Sequence, residues 1–166
     1  MPIGDLLLRE LEVEAKSTRA MLARVPGDRL DWTPHERSMP LGKLAWHVAS
    51  IPRIPARIFA AGVFEIGNAR PAANVTDYSD FLNELERNLA IARETISQLD
   101  DAALFATIDM TRDGAVVMAL PKYFILRNVL LNHTVHHRGQ LSVYLRLLDI
   151  PLPATYGTSA DEVAGG

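Results

Sequence analysis

The chain has 166 residues, of which 48% are hydrophobic and 22% charged, the proportions of a globular protein that buries its own core. Its net charge of −3, without a dense run of lysine and arginine, argues against nucleic-acid binding. It contains no cysteine, which excludes disulfides and thiolate ligands and leaves histidine and carboxylate side chains as the strong metal ligands.

No apolar run approaches the ~20 residues that a membrane-spanning helix needs. The sequence also begins without the basic and apolar segments of a secretory signal. We therefore expect a cytoplasmic protein with no membrane partner. The length, together with the lack of repeats and low-complexity segments, predicts one domain over residues 1–166.

Apolar residues at helical spacing predict a first helix over about Ile3–Arg24, which a Pro-Gly pair ends. The charged residues expected on its solvent side include Arg9, Glu10, Glu12, Glu14 and Lys16.

A second helix is predicted to begin near Met39–Leu41 and to continue past His47. Pro52 and Pro55 follow soon afterwards. Each proline removes a backbone N–H donor and clashes with the preceding turn, so we expect a kink or break just after the histidine.

A 4-3 spacing of apolar residues predicts a third helix over about Asp77–Leu99, and the stretch before it, Ala61–Thr76, has the composition of a loop. Two β-prone runs then follow, Ala106–Met110 and Ala115–Ala119. They flank an Asp-Gly pair, which is typical of a short β-hairpin.

A fourth helix is predicted from Pro121 to about Leu148. Its expected buried seam consists of Leu126, Leu130, His133, His137, Gln140, Tyr144 and Leu147. Four long amphipathic helices predict an all-α fold, a four-helix bundle with a short β-hairpin between the third and fourth helices.

Three histidines lie in otherwise apolar seams: His47 in the second helix, and His133 and His137 in the fourth. Residues i and i+4 project from one face of a helix, so the pair can point at the same spot. Burying imidazoles costs desolvation, and charged ones would repel each other, whereas a divalent metal keeps them neutral and uses their lone pairs. The alternative is a set of core histidines held by hydrogen bonds.

His136 offers a competing i, i+3 pair with His133, but it lies at the edge of the seam, so we place it beside the site or at the surface. Gln140 could orient a ligand, and Tyr144 could donate a hydrogen bond or simply fill the core.

Three neutral histidines would leave the metal charge uncompensated and one position open, the pattern of catalytic sites. A water or thiol entering that position would lose its proton readily. Zinc and nickel both accept imidazole ligands, so the ligand type does not separate them. No carboxylate lies in either histidine seam, so the spacing identifies no general base and the catalytic residues stay unknown.

With these residues in place, the chain resembles the DinB/YfiT-like family of metal-dependent four-helix bundles. The resemblance is carried by Trp46-His47, by the run from Asn132 to Leu141 that contains His133, His136 and His137, and by the segment from Pro151 to Glu162. It spans about Leu30–Glu162.

The resemblance implies a divalent metal held by His47, His133 and His137, and frequently a homodimer. Relatives with assigned activities use the metal to activate a low-molecular-weight thiol, such as bacillithiol or mycothiol, for transfer to an electrophilic small molecule or for isomerisation. A related hypothesis is that the metal activates a water molecule, which attacks a small substrate. The competing class is a non-catalytic, stress-related homodimeric bundle in which the metal site is structural or vestigial.

Overall fold

The computed structural model describes residues 1–67 and 78–163, which are mostly helical and carry one small sheet. The long helices are α1 Ile3–Leu22, α2 Leu41–Ser50, α4 Tyr78–Ser97 and α7 His133–Leu147. The shorter elements are α3 Ile54–Ala61, α5 Asp101–Phe105, α6 Lys122–Ile125, α8 Ala160–Val163, strands β1 Val63–Glu65, β2 Thr107–Arg112 and β3 Ala115–Pro121, and 3₁₀ turns at Gly27–Arg29 and Ile51–Arg53.

Helices α1, α2, α4 and α7 share one hydrophobic core. The predicted stripe of α1 is buried throughout, at Leu7, Leu11, Ala15, Thr18 and Leu22. Fully burying one leucine side chain stabilises a protein by roughly 1.5–3 kcal/mol, so these apolar stripes supply most of the packing energy. None of the helices in the described part of the chain is long and apolar enough to cross a membrane.

The predicted break after His47 is confirmed. Helix α2 ends at Ser50, and the 3₁₀ turn Ile51–Arg53 separates it from α3. Pro52 and Pro55 lie at the first positions of these two new segments, where the missing N–H would have no partner within the helix in any case.

The predicted hairpin is also confirmed, as the antiparallel pair β2–β3. Its turn residues Asp113 and Gly114 both have positive φ, 51° and 77°, as a tight two-residue turn requires. The loop prediction for 61–76 is wrong at Val63–Glu65, because β1 pairs with β2 in parallel. Such pairing depends on a distant partner, which local composition does not reveal. The later part of that loop, 68–76, lies outside the described residues.

The fourth predicted helix is observed as a continuous helical run from α6 to α7, but its middle, Leu126–Asn132, is π-helical. A π-helical turn holds more residues than an α-helical turn, so it rotates the face that follows. The buried positions of the run are Ile125, Leu126, Leu130, Leu131, Thr134, Arg138, Leu141 and Leu145. The predicted seam is therefore wrong at exposed Gln140 and Leu147, and the histidines lie at the border of the core.

The fold prediction is thus confirmed as mostly helical with a β-hairpin, whereas a four-helix bundle is not confirmed. The described residues add short helices, a π-helical segment and a third strand to the four long helices. These additions arise from the two prolines, from the pairing of strands distant in the sequence and from the rotated face of the last long helix. The spacing of apolar residues along the sequence encodes none of them.

A buried ion pair joins α1 to α7. The side chains of Arg138 and Glu14 are 3% and 9% exposed, with 2.7 Å between Nη2 and Oε2. Arg138 also donates to the Glu14 carbonyl at 3.0 Å and to the Thr18 hydroxyl at 3.2 Å. The Tyr156 hydroxyl accepts from Arg138 and donates to Glu14, each at 2.8 Å, which ties down the C-terminal segment. Placing Glu14 on the solvent side was therefore wrong.

Replacing Glu14 with Gln should destabilise the protein by about 3–5 kcal/mol, because Arg138 would keep a buried charge without its counterion. Urea unfolding measures this loss. The matched control is Glu12→Gln, which breaks the exposed Arg93–Glu12 pair, 2.6 Å apart, and should cost below about 1 kcal/mol. Equal losses in the two variants would contradict the structural role of the buried pair.

Candidate metal centre

The three predicted histidines meet at one point between α2 and α7. His47 Nε2 lies 3.2 Å from His133 Nε2, which lies 2.8 Å from His137 Nε2. One nitrogen from each ring belongs to a set whose members all lie within 4.8 Å of one another. Within residues 1–67 and 78–163, no other three histidine or acidic side chains converge in this way.

The π-helical segment ends immediately before His133 and changes the hydrogen bonding there. The His133 backbone N–H donates to the carbonyls of Asn128 and Leu130. The His133 side chain forms its own hydrogen bond with the backbone of Val129. Since a second hydrogen bond fixes the orientation of a ligating imidazole, the local backbone helps to hold Nε2 towards the cluster.

Gln140 fixes the tautomer of His137. The Nδ1 atom of His137 lies 2.7 Å from Gln140 Oε1, and an amide oxygen can only accept a hydrogen bond. Nδ1 therefore carries the proton, and Nε2 presents a lone pair to the other two rings. This is the form of histidine that binds a metal through Nε2.

Burial keeps the cluster uncharged. It is the largest cause that lowers the pKa of His47, His133 and His137, and for His47 the pKa falls to about 4. The neighbouring imidazoles lower the pKa of His47 further, first His137 and then His133. All three rings are therefore neutral near pH 7 and keep the lone pairs that ligation requires.

The donor set fits a divalent metal ion. A tetrahedral ion with Zn–N bonds of about 2.0–2.1 Å holds its nitrogens roughly 3.3 Å apart. The 3.2 Å separation of His47 and His133 matches this spacing, and the 2.8 Å separation of His133 and His137 is somewhat tighter. Without an ion, one of those last two Nε2 atoms would have to donate a proton to the other.

The other predicted residues lie around this cluster in different roles. His136 is exposed, with its ring 4.8 Å from that of His137, and Gln140 bonds His137 directly. Tyr144 packs edge-to-face against Trp32, with ring centroids 5.7 Å apart. Trp32 comes from the irregular segment before α2, and the sequence carried no periodic signal for this contact.

Two cavities lie elsewhere. One of about 350 Å³ lies between α7 and the C-terminal segment, where Arg138, Ser142 and Tyr156 are among the lining residues. The other, of about 370 Å³, lies beside Pro26 and Leu148. Neither of these two cavities is lined by the three histidines, so the candidate metal ligands and the two cavities lie at different places in the fold. Metal ligation requires converging lone pairs and not a large volume, so the histidine cluster is the candidate site.

Together, these features define a mostly helical protein with a small sheet and a three-histidine cluster compatible with a metal site. The model of the DinB family matches residues 1–165, and the chain belongs to the DinB family.

Similar proteins match this chain over most of its length. An uncharacterised protein of Bacillus subtilis, YrdA, is 27% identical over 165 residues, which is 96% of this chain and 92% of that protein. A DinB-like structure from Bacillus cereus has a TM-score of 0.72 at 23% identity and covers 90% of this chain and 95% of its own. A DinB-like structure from Bacillus subtilis, YjoA, has a TM-score of 0.67 at 17% identity and covers 92% and 99%. The structural likeness establishes the fold.

The lowered histidine pKa values predict that the metal-free protein loses stability as the pH falls from about 6.5 to about 4. In this range the histidines are protonated in the unfolded chain but stay neutral in the folded cluster. The free energy of unfolding therefore decreases as the pH falls. His47→Leu should flatten this dependence in urea unfolding measured with a chelator present. Parallel curves for parent and variant would contradict a buried neutral His47.

Proposed function

We propose that the protein binds one divalent metal ion, zinc or nickel, through His47, His133 and His137, and that it is a metal-dependent enzyme acting on a small molecule. The observation that carries the proposal is the convergence of three neutral imidazoles with no carboxylate in the cluster. We also propose the cytoplasm as its compartment, where low-molecular-weight thiols are kept reduced.

An ion in such a site acidifies a thiol or water that enters its open position. The chain itself supplies three uncharged ligands, which leave the ionic charge uncompensated. Gln140 holds His137 in the tautomer that directs its lone pair inward. We propose a low-molecular-weight thiol as the co-substrate. After the thiol loses its proton, its sulfur attacks the electrophilic carbon to form a thioether, and the leaving group departs with the electrons of the broken bond. Water is the alternative nucleophile.

A second candidate is a non-catalytic protein whose metal stabilises the fold. The observation that favours it is that neither of the two cavities described above, among the described residues, is lined by the histidines. A catalytic site normally offers its substrate a concave volume, whereas a structural site needs none.

Metal content separates the metal proposals from an empty cluster. Protein purified without a nickel column or chelator should carry about one divalent ion per chain by elemental mass spectrometry. The double variant His133→Ala, His137→Ala should lose it, because one imidazole alone does not retain an ion. His136→Ala is the matched control and should keep the metal. A metal-free parent that shows no thermal shift with added zinc or nickel would overturn the proposal.

Product analysis then separates the two nucleophiles. The metal-loaded protein is incubated with an electrophilic aryl halide, with and without bacillithiol or mycothiol, and the products are identified by mass spectrometry. A thioether that forms with release of halide only when thiol is present, and that is lost in the double variant, supports transfer of the thiol. Thiol-independent hydrolysis supports water, and turnover equal to the double variant in both arms supports the non-catalytic role.

We also propose a homodimer, with β3 as its contact surface. Among the residues that the structure describes, the sheet has the order β1-β2-β3, so no strand pairs with the outer edge of β3. On this strand Val116, Val117 and Met118 are 63%, 50% and 47% exposed. An uncharged edge strand of this kind favours pairing with another strand. Met118→Lys should shift the mass measured by light scattering from dimer to monomer, while Val143→Lys on the exposed face of α7 should not. A monomeric parent at all concentrations would exclude the dimer.

A further inference from the structure

Ser50, the last residue of α2, has a hydroxyl that forms no hydrogen bond. Among the buried side-chain polar atoms of the described residues, its Oγ is the one without a partner. A buried hydroxyl in a helix ordinarily donates to the carbonyl one turn earlier. Thr18 does so to Glu14 at 2.8 Å, and Thr134 to Leu130 at 2.7 Å. Ser50 makes no such bond, so its hydroxyl remains available.

The position of Ser50 relates it to the histidine cluster. It follows His47 by three residues, a spacing that puts both on the same side of α2. The 3₁₀ turn Ile51–Arg53 comes next and contacts both α7 and the π-helical segment before it. Ser50 therefore lies between two parts of the chain, His47 and this turn, that both contact the helical run carrying His133.

The neighbouring polar groups do not need Ser50. The buried carboxylate of Glu84 accepts from Arg53 at 2.6 Å, from Arg87 at 2.7 Å and from Asn88 at 2.9 Å. Asn88 also donates to the carbonyl of Ala49 at 2.9 Å. This network on the α4 side of the turn is complete without the serine, so Ser50 is not one of its members.

An unsatisfied buried hydroxyl costs stability, and it is typical of a position where a bound water, ion or ligand supplies the missing partner. We infer that Ser50 binds the small ligand that occupies the open position of the three-histidine site, by donating its hydroxyl proton to a thiolate or hydroxide. Because a hydroxyl is uncharged, it can recognise that anion without competing for the metal. The inference rests on the proposed function and adds a binding residue to it.

The test compares Ser50→Ala with Ser142→Ala in cobalt(II)-loaded protein, whose visible absorption reports ligand exchange. Ser142 is the matched control, since its hydroxyl already donates to Gly139 at 2.7 Å. Both variants should bind cobalt within about twofold of the parent. Titrated with 2-mercaptoethanol and with azide, Ser50→Ala should bind about tenfold more weakly, the loss of one hydrogen bond to a charged group. Ser142→Ala should bind as the parent does.

Thermal unfolding of the metal-free variants supplies the second readout. Ser50→Ala should melt at or above the melting temperature of the parent, because it removes a hydroxyl without a partner. A lower melting temperature, or unchanged binding of both probes, would overturn the inference while leaving the metal proposal intact. A parent that binds no cobalt would overturn both. Ser50→Thr, which keeps the hydroxyl, should recover probe binding if it folds, and folding is checked by the same melt.

Discussion

The partial burial of three neutral imidazoles at one contact is the constraint on which the site depends. Desolvation keeps His47, His133 and His137 uncharged, yet two of their Nε2 atoms lie only 2.8 Å apart. A shared cation satisfies those lone pairs together, whereas hydrogen bonding alone satisfies them in part. The contact also fixes how α2 lies against α7, because His47 must lie beside His133, the first residue of α7. Two irregular segments lie next to this contact: the proline break after α2 and the π-helical segment before His133.

Polar supports surround the cluster without entering it. Gln140 bonds to His137 on the exposed side of α7. Arg138, which directly follows His137, anchors the buried side of the helix to Glu14. The ion pair makes further hydrogen bonds to Thr18 and Tyr156, which help to offset its desolvation. The candidate metal ligand His137 and the helix anchor Arg138 are thus adjacent residues that face different ways, which explains why the core face of α7 is partly polar.

Local rules predicted the elements whose causes are local. The apolar stripe of α1, the break at Pro52 and the Asp113-Gly114 turn each follow from a few neighbouring residues, and each is observed. The meeting of the three histidines was predictable because the i, i+4 pair and the upstream seam each face a core. The π-helical turn, strand β1 and the burial of Glu14 were not predictable, since they depend on partners distant in the sequence. Ser50 carried only one signal, its i, i+3 spacing from His47.

X-ray absorption at the metal edge of the zinc- or nickel-loaded protein tests the central claim most directly, because it counts the ligands of the ion in solution. The account predicts three imidazole nitrogens, at about 2.0–2.1 Å for zinc, together with at least one light non-protein ligand that a thiol replaces with a sulfur at about 2.3 Å. A spectrum with fewer than three imidazoles would contradict the three-histidine site. A spectrum that shows no change on adding thiol would contradict the entry of a thiol at its open position.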